Sequence, residues 1–346
     1  MKKAKILYNK RRKKKLTHLN INFILKFIFF AFTILILILP KNSLNNDNNN
    51  NENNKNDNNI YTYFACFVGM GREENRYVRE LIEYYSKIGV EKFILGDNNR
   101  LNTEKLSDVI QDYINDGTVD IIELFGSALG QSELYQMVYE KYKSKCNWFL
   151  LFDFDEYLEV HFENGKNLNL NNFLTNEIFD KCEAILFNWV VYSDNDLIYY
   201  DNRPLNKRFT EPYFNDVDNI YVKSVVRSGL NKKSFLPNKS NHIPEKNVVI
   251  CNSKGQIINN YNPYLIRPPV YDYGYLKHFT TKTTEEFCGK MLIGHPRNLS
   301  FNYEERVQIF FKHNKFSEEK LKFFEKKFNR TFNVKKSAPG FRGNNV

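Results

Sequence analysis

The sequence predicts an α/β fold with a largely parallel, doubly wound sheet, preceded by one N-terminal membrane-spanning helix. Three observations carry this. Apolar runs of strand length alternate with segments of helical period across residues 60–330. One of those strands, after the five apolar residues 148–152, ends in the acids Asp153-Phe154-Asp155-Glu156. Residues 21–40, INFILKFIFFAFTILILILP, form an apolar run long enough to span a bilayer.

The chain of 346 residues, 42% of them hydrophobic, suffices for one large domain or two small ones. Residues 1–15 carry nine Lys or Arg and no acid, and removing them from the net charge of +10 leaves about +1 for the remainder. The basicity is therefore a tail spanning residues 1–20 and not a nucleic-acid-binding face. Such a cluster directly before an apolar run stays cytoplasmic, so residues 21–40 read as a type II, single-pass signal anchor. In a eukaryotic cell this places the bulk of the chain in the ER or Golgi lumen. A cleaved signal peptide is the alternative, but the run is long for one and no small-x-small cleavage site follows. Asn238, Asn298 and Asn329 each begin an Asn-x-Ser/Thr sequon, which is compatible with a lumenal domain.

Residues 41–59 are Asn-rich, almost free of apolar side chains and too polar to offset their own ordering entropy; they read as a flexible stem. The folded domain follows over residues 60–330, with a tail at 331–346. YTYFACFV (61–68) reads as a buried strand. From Glu74 to Ile88, apolar positions at Tyr77, Val78, Leu81, Ile82, Tyr85 and Ile88 have helical period, and Gly89 stops the helix. Strands are expected at 90–97, 118–124, 146–158, 184–192, 219–227 and 271–279, with a helix at 131–145. Thr283 and Glu286 form a capping-box pattern opening another helix, and 302–328 reads as amphipathic helix. Cys66, Cys146, Cys182, Cys251 and Cys288 fit no zinc or CxxC spacing; scattered buried thiols are the favoured reading over disulfides.

The acids after Trp148-Phe149-Leu150-Leu151-Phe152 are the sharpest chemical feature. The carboxyl edge of an α/β sheet is where ligands bind. In extended chain, residues i and i+2 point the same way, so Asp153 and Asp155 can present oxygens to one site. Hard cations such as Mn²⁺ or Mg²⁺ take oxygen ligands and are shared with substrate phosphates. The plain alternative is an acidic turn. No G-x-S-x-G, P-loop or G-x-G-x-x-G is present, so hydrolase and classical nucleotide-fold motifs are unsupported.

NWFLLFDFDEYLEV resembles the W-x-x-x-x-D-x-D-E-[FY]-L signature of glycosyltransferase family 92 and related GT-A enzymes. GREENRYVRELIEYYSKIGVEKFILGDNN resembles that family's first block, and Gln131 and Tyr135 fall where a helix precedes the acid strand. FNWVVY, KSVVR and KHFTTKTTEEFCGK resemble the later N-W, V-K and H-Y-x-x-K-S blocks, in order, over residues 62–295. Two departures stand out. Arg72-Glu73-Glu74-Asn75 occupies the place of K-N-E, and the His expected near Tyr84-Tyr85 is missing.

The resemblance implies a GT-A-like α/β/α sandwich, of the nucleotide-diphospho-sugar transferase type. It would transfer a hexose, galactose foremost, from a UDP-sugar to a glycan acceptor with Mn²⁺ (or Mg²⁺), inverting the anomeric centre. Asp153, Asp155 and His278 are the implied metal ligands. Asp97, Gln131, Lys223 and Lys282 fall to the nucleotide sugar, and Asn188 and Trp189 to the acceptor. Glu156 would orient the acids or the sugar and is carried with Asp194 as a catalytic candidate, since inversion requires a carboxylate to deprotonate the acceptor; Asp196 is a neighbouring candidate. Each has a plain structural alternative: a turn for Asp97, a half-buried sheet residue for His278, a surface Lys for Lys282, core for Trp189, a polar loop for Asp194. Two rival functions are a non-catalytic carbohydrate-binding or scaffold protein that keeps the fold, and a metal-dependent phosphodiesterase. The intact acid pair argues against the first. The second usually needs two metals and clustered His and Asp, and none of the six His pairs at metal spacing.

Overall fold

A computed structural model of the chain describes residues 61–125, 130–162, 169–230, 248–259, 265–294 and 302–336. The expected tail, anchor and stem at 1–59 lie outside the described residues, as do the sequons at Asn238 and Asn298. Among the described residues no helix is long and apolar enough to cross a membrane.

The first half follows the alternation read from the sequence. β1 (Tyr63–Gly71), β2 (Lys92–Asp97), β3 (Val119–Glu123) and β4 (Cys146–Leu151) are joined by α1 (Asn75–Ile88), α2 (Leu106–Asn115) and α3 (Gln131–Tyr142). They lie in the order β3-β2-β1-β4, all parallel. Successive side chains of a strand face opposite sides. Along β1, Ala65 and Phe67 pack with Tyr77, Leu81, Tyr85 and Ile110 from α1 and α2. Cys66 and Val68 pack with Leu134, Val138 and Tyr142 from α3. Helices on both faces make the α/β/α layering. α1 stops at Gly89, whose φ of +107° a side chain would strain.

The second half is mixed rather than largely parallel, which corrects the doubly wound expectation. The strands are β5 (Glu156–Val160), β6 (Ala184–Tyr192), β7 (Pro212–Tyr213), β8 (Val222–Arg227), β9 (Ile250–Asn252) and β10 (Gly274–His278). β8 lies antiparallel between β4 and β6, β10 is parallel to β6, and β5 is antiparallel to β10 at the far edge. β7 and β9 pair with β6 off this path. The reason begins at the acids. The expected single strand over 146–158 breaks into β4 and β5, and a four-residue link is too short for a parallel crossover. Val217–Ile220 forms a 3₁₀ turn, so the strand expected at 219–227 starts at Val222.

Two short helices, α4 (Leu170–Leu174) and α5 (Leu205–Arg208), flank β6 in sequence. α6 (Thr284–Ile293) opens with the expected capping box: Glu286 N donates to Thr283 Oγ1, and Thr283 N donates to Glu286 Oε2. The helical stretch at 302–328 is two helices, α7 (Tyr303–His313) and α8 (Glu318–Phe328), parted by a loop before the N-cap Ser317. Phe287, Met291, Phe310 and Phe324 give α6, α7 and α8 a core of their own.

Two disulfides, Cys66–Cys146 and Cys182–Cys251, replace the expected free thiols, leaving only Cys288 reduced and buried. The pairs are 80 and 69 residues apart in sequence, yet strand pairing brings their Cα atoms to 6.0 and 5.8 Å, within bonding range.

Candidate active site

Between β4 and β5 the chain turns, closed by Glu156 N donating to Asp153 O at 3.2 Å. The i, i+2 alternation holds only in extended chain. The two carboxylates therefore diverge. Asp153, half-buried, accepts from the Gln131 amide and pairs with Lys223 Nζ at 2.6 Å. Asp155 is buried. Its Oδ2 faces Lys290 Nζ at 3.1 Å and Lys282 Nζ at 3.4 Å, and its Oδ1 lies 3.8 Å from His278 Nε2.

The turn is tightly supported. Glu156 is fully buried; its Oε2 accepts from Asp153 N at 2.9 Å and its Oε1 lies 3.5 Å from Lys223 Nζ. Tyr85, beside the position where the family block has His, donates its hydroxyl to Glu156 O at 2.8 Å and accepts from Leu158 N at 3.0 Å. Phe279 N, just past β10, donates to Asp155 O at 2.9 Å. Phe154 plugs the turn into the core against Gly71, where a Cβ would lie 2.6 Å from its ring.

Burial alone would raise the Asp155 carboxyl, but Lys290, Lys282 and His278 outweigh it and hold the group well below the usual carboxylate range. Burial pushes Glu156 up to about 8 against the pull of Lys223. It pushes His278 down to about 4 against the pull of Asp155, so the imidazole is neutral near pH 7. Glu74, next to Lys282, is pushed up to about 6, again chiefly by burial.

A cleft of about 860 Å³ opens over the turn, with Arg72, Glu74, Gln131, Asp153, Asp155, Lys282 and Lys290 in its wall. Of the residues expected from sequence, Gln131, Asp153, Asp155 and Lys282 line it, and Lys223 and His278 touch the two carboxylates from strands β8 and β10. Trp189 is one step removed: its half-buried ring lies 4.2 Å from that of His278 and 5.3 Å from that of Tyr221.

The others stand apart from the cleft wall. Asp97 is fully buried and spends its carboxylate on Leu106 N at 2.7 Å and Asn99 N at 3.0 Å. Asn188 donates to Asn219 O and accepts from Val270 N, both at 3.0 Å. Asp194 pairs with Lys320 at 2.7 Å, both side chains 1% exposed, and Lys320 also reaches Asp196 at 2.8 Å.

Sequence reasoning missed Lys290 and left Glu74 without a role. A signal for Lys290 existed: it lies seven residues after the N-cap Thr283, two turns on, and so shares the face of α6 that begins beside Lys282.

Asp155 and His278 suit a hard divalent cation. Their facing oxygen and nitrogen, 3.8 Å apart, make no hydrogen bond, and the imidazole is neutral. Two ligand atoms each about 2.1 Å from one ion stand about 3 Å apart at a right angle, and farther at wider angles. Such an ion takes one or two protein ligands and fills its other positions with phosphate oxygens and water. Asp216, Asp218 and His313 also cluster, but both imidazole nitrogens are engaged, with Asp216 at 2.8 Å and Asp218 at 3.2 Å, and Lys312 neutralises Asp218 at 2.6 Å. That cluster is a charged latch and not a cation site.

An acid turn at the carboxyl edge of an α/β sheet, facing a cleft walled by ammonium groups, fits an enzyme that handles a charged donor. Residues 61–229 match the family model for glycosyltransferase family 92. The protein is a glycosyltransferase. The matched stretch includes the acid turn, Gln131 and Lys223. Among solved structures, S. aureus TarS residues 1–349 is similar at 12% identity, over 72% of this chain and 69% of that one, with a TM-score of 0.32. The same protein in complex with UDP-GlcNAc matches at 13% identity, over 72% and 71%, with a TM-score of 0.32. Its complex with UDP matches at 10% identity, over 72% and 70%, with a TM-score of 0.33. No curated protein matches the chain.

Proposed function

We propose that this glycosyltransferase transfers a hexose, galactose foremost, from a UDP-sugar to a glycan acceptor, with Mn²⁺ or Mg²⁺ as cofactor. The observation that carries the reading is the convergence of Lys282, Lys290 and neutral His278 on one buried carboxylate, Asp155, at the floor of the cleft. Such a site suits a diphosphate, which needs positive charge as the sugar leaves. Asp155 and His278 would hold the cation, and a bound cation supplies neutralisation of the departing diphosphate. Gln131 and Lys223 position Asp153, and Glu156 holds the turn from beneath. Trp189, adjoining His278, and Tyr221, adjoining Trp189, offer aromatic faces for the acceptor sugar.

Two disulfides and the exposed sequon at Asn329 fit an oxidising, lumenal setting, consistent with a type II orientation from an anchor at 21–40. The test is UDP release by the full chain from a panel of UDP-sugars, with Mn²⁺ and with EDTA. One donor should be turned over, only with metal, and Asp155→Asn should lower the rate by about a hundredfold or more. Equal turnover in EDTA removes the metal from the proposal. Absence of both turnover and UDP binding removes the nucleotide sugar.

A further inference from the structure

Asp155 carries one negative charge, yet two ammonium groups approach a single one of its oxygens, Oδ2, at 3.1 and 3.4 Å. The two lysines differ. Lys282 is 5% exposed, has a left-handed φ of +56°, lies over the Tyr77 ring at 4.6 Å and is 3.7 Å from Glu74. Lys290 rises from the second turn of α6, and its side chain is 53% exposed, so its four-carbon stem can swing at little cost. Both line the cleft.

The amino end of α6 does not offer an anion site of its own. Thr283 caps it, and Glu285 and Glu286 put two acids in its first turn. Arg208 answers Glu286 and lies 1% exposed beneath it. Arg100 is held by Glu73. Arg72, Arg76 and Lys327 also line the cleft, but the ammonium groups paired with Asp155 are those of Lys282 and Lys290.

We propose that Lys282 and Lys290 are exchangeable counter-ions. In the empty cleft they neutralise Asp155. When a nucleoside diphosphate enters, they turn to its oxygens, Lys290 through its exposed stem and Lys282 with a smaller shift, and Asp155 is freed for a divalent cation. The inference rests on the nucleotide-sugar reading above. It makes cation and diphosphate binding mutually dependent, each raising the other's affinity by the same factor. Either one alone meets a competitor: the cation finds Asp155 already paired, and the diphosphate finds its lysines already spent.

The test is titration calorimetry on the full chain with Mn²⁺ alone, UDP alone, and UDP with saturating Mn²⁺, for wild type, Lys290→Met and Lys290→Arg. In wild type, UDP should bind about tenfold tighter with Mn²⁺ than without it. In Lys290→Met, Mn²⁺ alone should bind several-fold tighter, because Asp155 has lost a counter-ion, while UDP with Mn²⁺ weakens by about tenfold. Lys290→Arg should restore wild-type behaviour in both. The opposite signs are the signature, since a general disturbance of the cleft weakens both ligands together. Unchanged or weaker Mn²⁺ binding in Lys290→Met overturns the exchange while leaving the donor reading intact. Failure of wild type to bind UDP under any condition overturns both.

Discussion

Replacing Glu286 by Gln leaves the Arg208 guanidinium buried without its counter-charge. In the native chain Arg208 makes two bonds to this carboxylate, at 2.8 and 3.0 Å, and both side chains are 1% exposed. Tyr77 Oη donates to the same carboxylate at 2.7 Å, and Thr283 N at 3.1 Å, so Glu286 ties α1 and α5 to the cap of α6. Removing one partner of a buried pair costs about 3–5 kcal/mol. The lower end applies, because an amide oxygen still accepts hydrogen bonds and Asp201 remains 3.9 Å from Arg208. A loss of about 3 kcal/mol is therefore expected, a fall of roughly two orders of magnitude in the folded-to-unfolded ratio. Urea unfolding followed by Trp148 and Trp189 fluorescence reads it as a lower midpoint at unchanged slope. The double variant Arg208→Met/Glu286→Gln should recover most of the loss, because no charge is left stranded and the amide oxygen still accepts a hydrogen bond at the Tyr77 and Thr283 donors. A single-variant loss below about 1 kcal/mol, or a double variant worse than the single, would refute this account.

Tyr85→Phe removes the hydroxyl that serves both Glu156 O and Leu158 N, so it should cost about 1–3 kcal/mol and loosen the acid turn, checked by the same unfolding curve and by a rise in KM for the donor. Alkylation of the unfolded, unreduced chain should label one cysteine, Cys288, and all five after reduction, with the two disulfides together raising stability by several kcal/mol. Burial alone would lower the His313 pKa, but its hydrogen bonds to Asp216 and Asp218 outweigh this and raise it, with Lys312 the other charge facing the pair. A raised folded value means the latch contributes fully below about pH 6.5 and is lost as pH rises through the folded pKa, so stability should decline over that window in wild type and not in His313→Gln.

Several features of this protein were legible in the chain. The period of Tyr77 to Tyr85 and the stop at Gly89 define α1, and the Thr283–Glu286 pair announces α6. These signals are local: a helical stripe or a cap depends on residues within a few positions of each other. The acids after Phe152 marked the floor of the cleft for a related reason, since an apolar strand ending in carboxylates exposes them at the sheet's edge whatever the rest of the fold.

The sequence could not decide that the chain turns at Phe154, because two strands in series and one long strand share the same apolar pattern. That turn sends β5 to the far edge, makes the sheet mixed, and points Asp153 and Asp155 at different partners. Nor could it pair Cys66 with Cys146, or gather Lys223, His278, Lys282 and Lys290 around two carboxylates, because strand order brings together residues far apart in the chain. Periodicity reports which face of an element is buried; which element covers that face is decided by the non-local pairing of strands, and the charge balance at Asp155 exists only once that pairing is made.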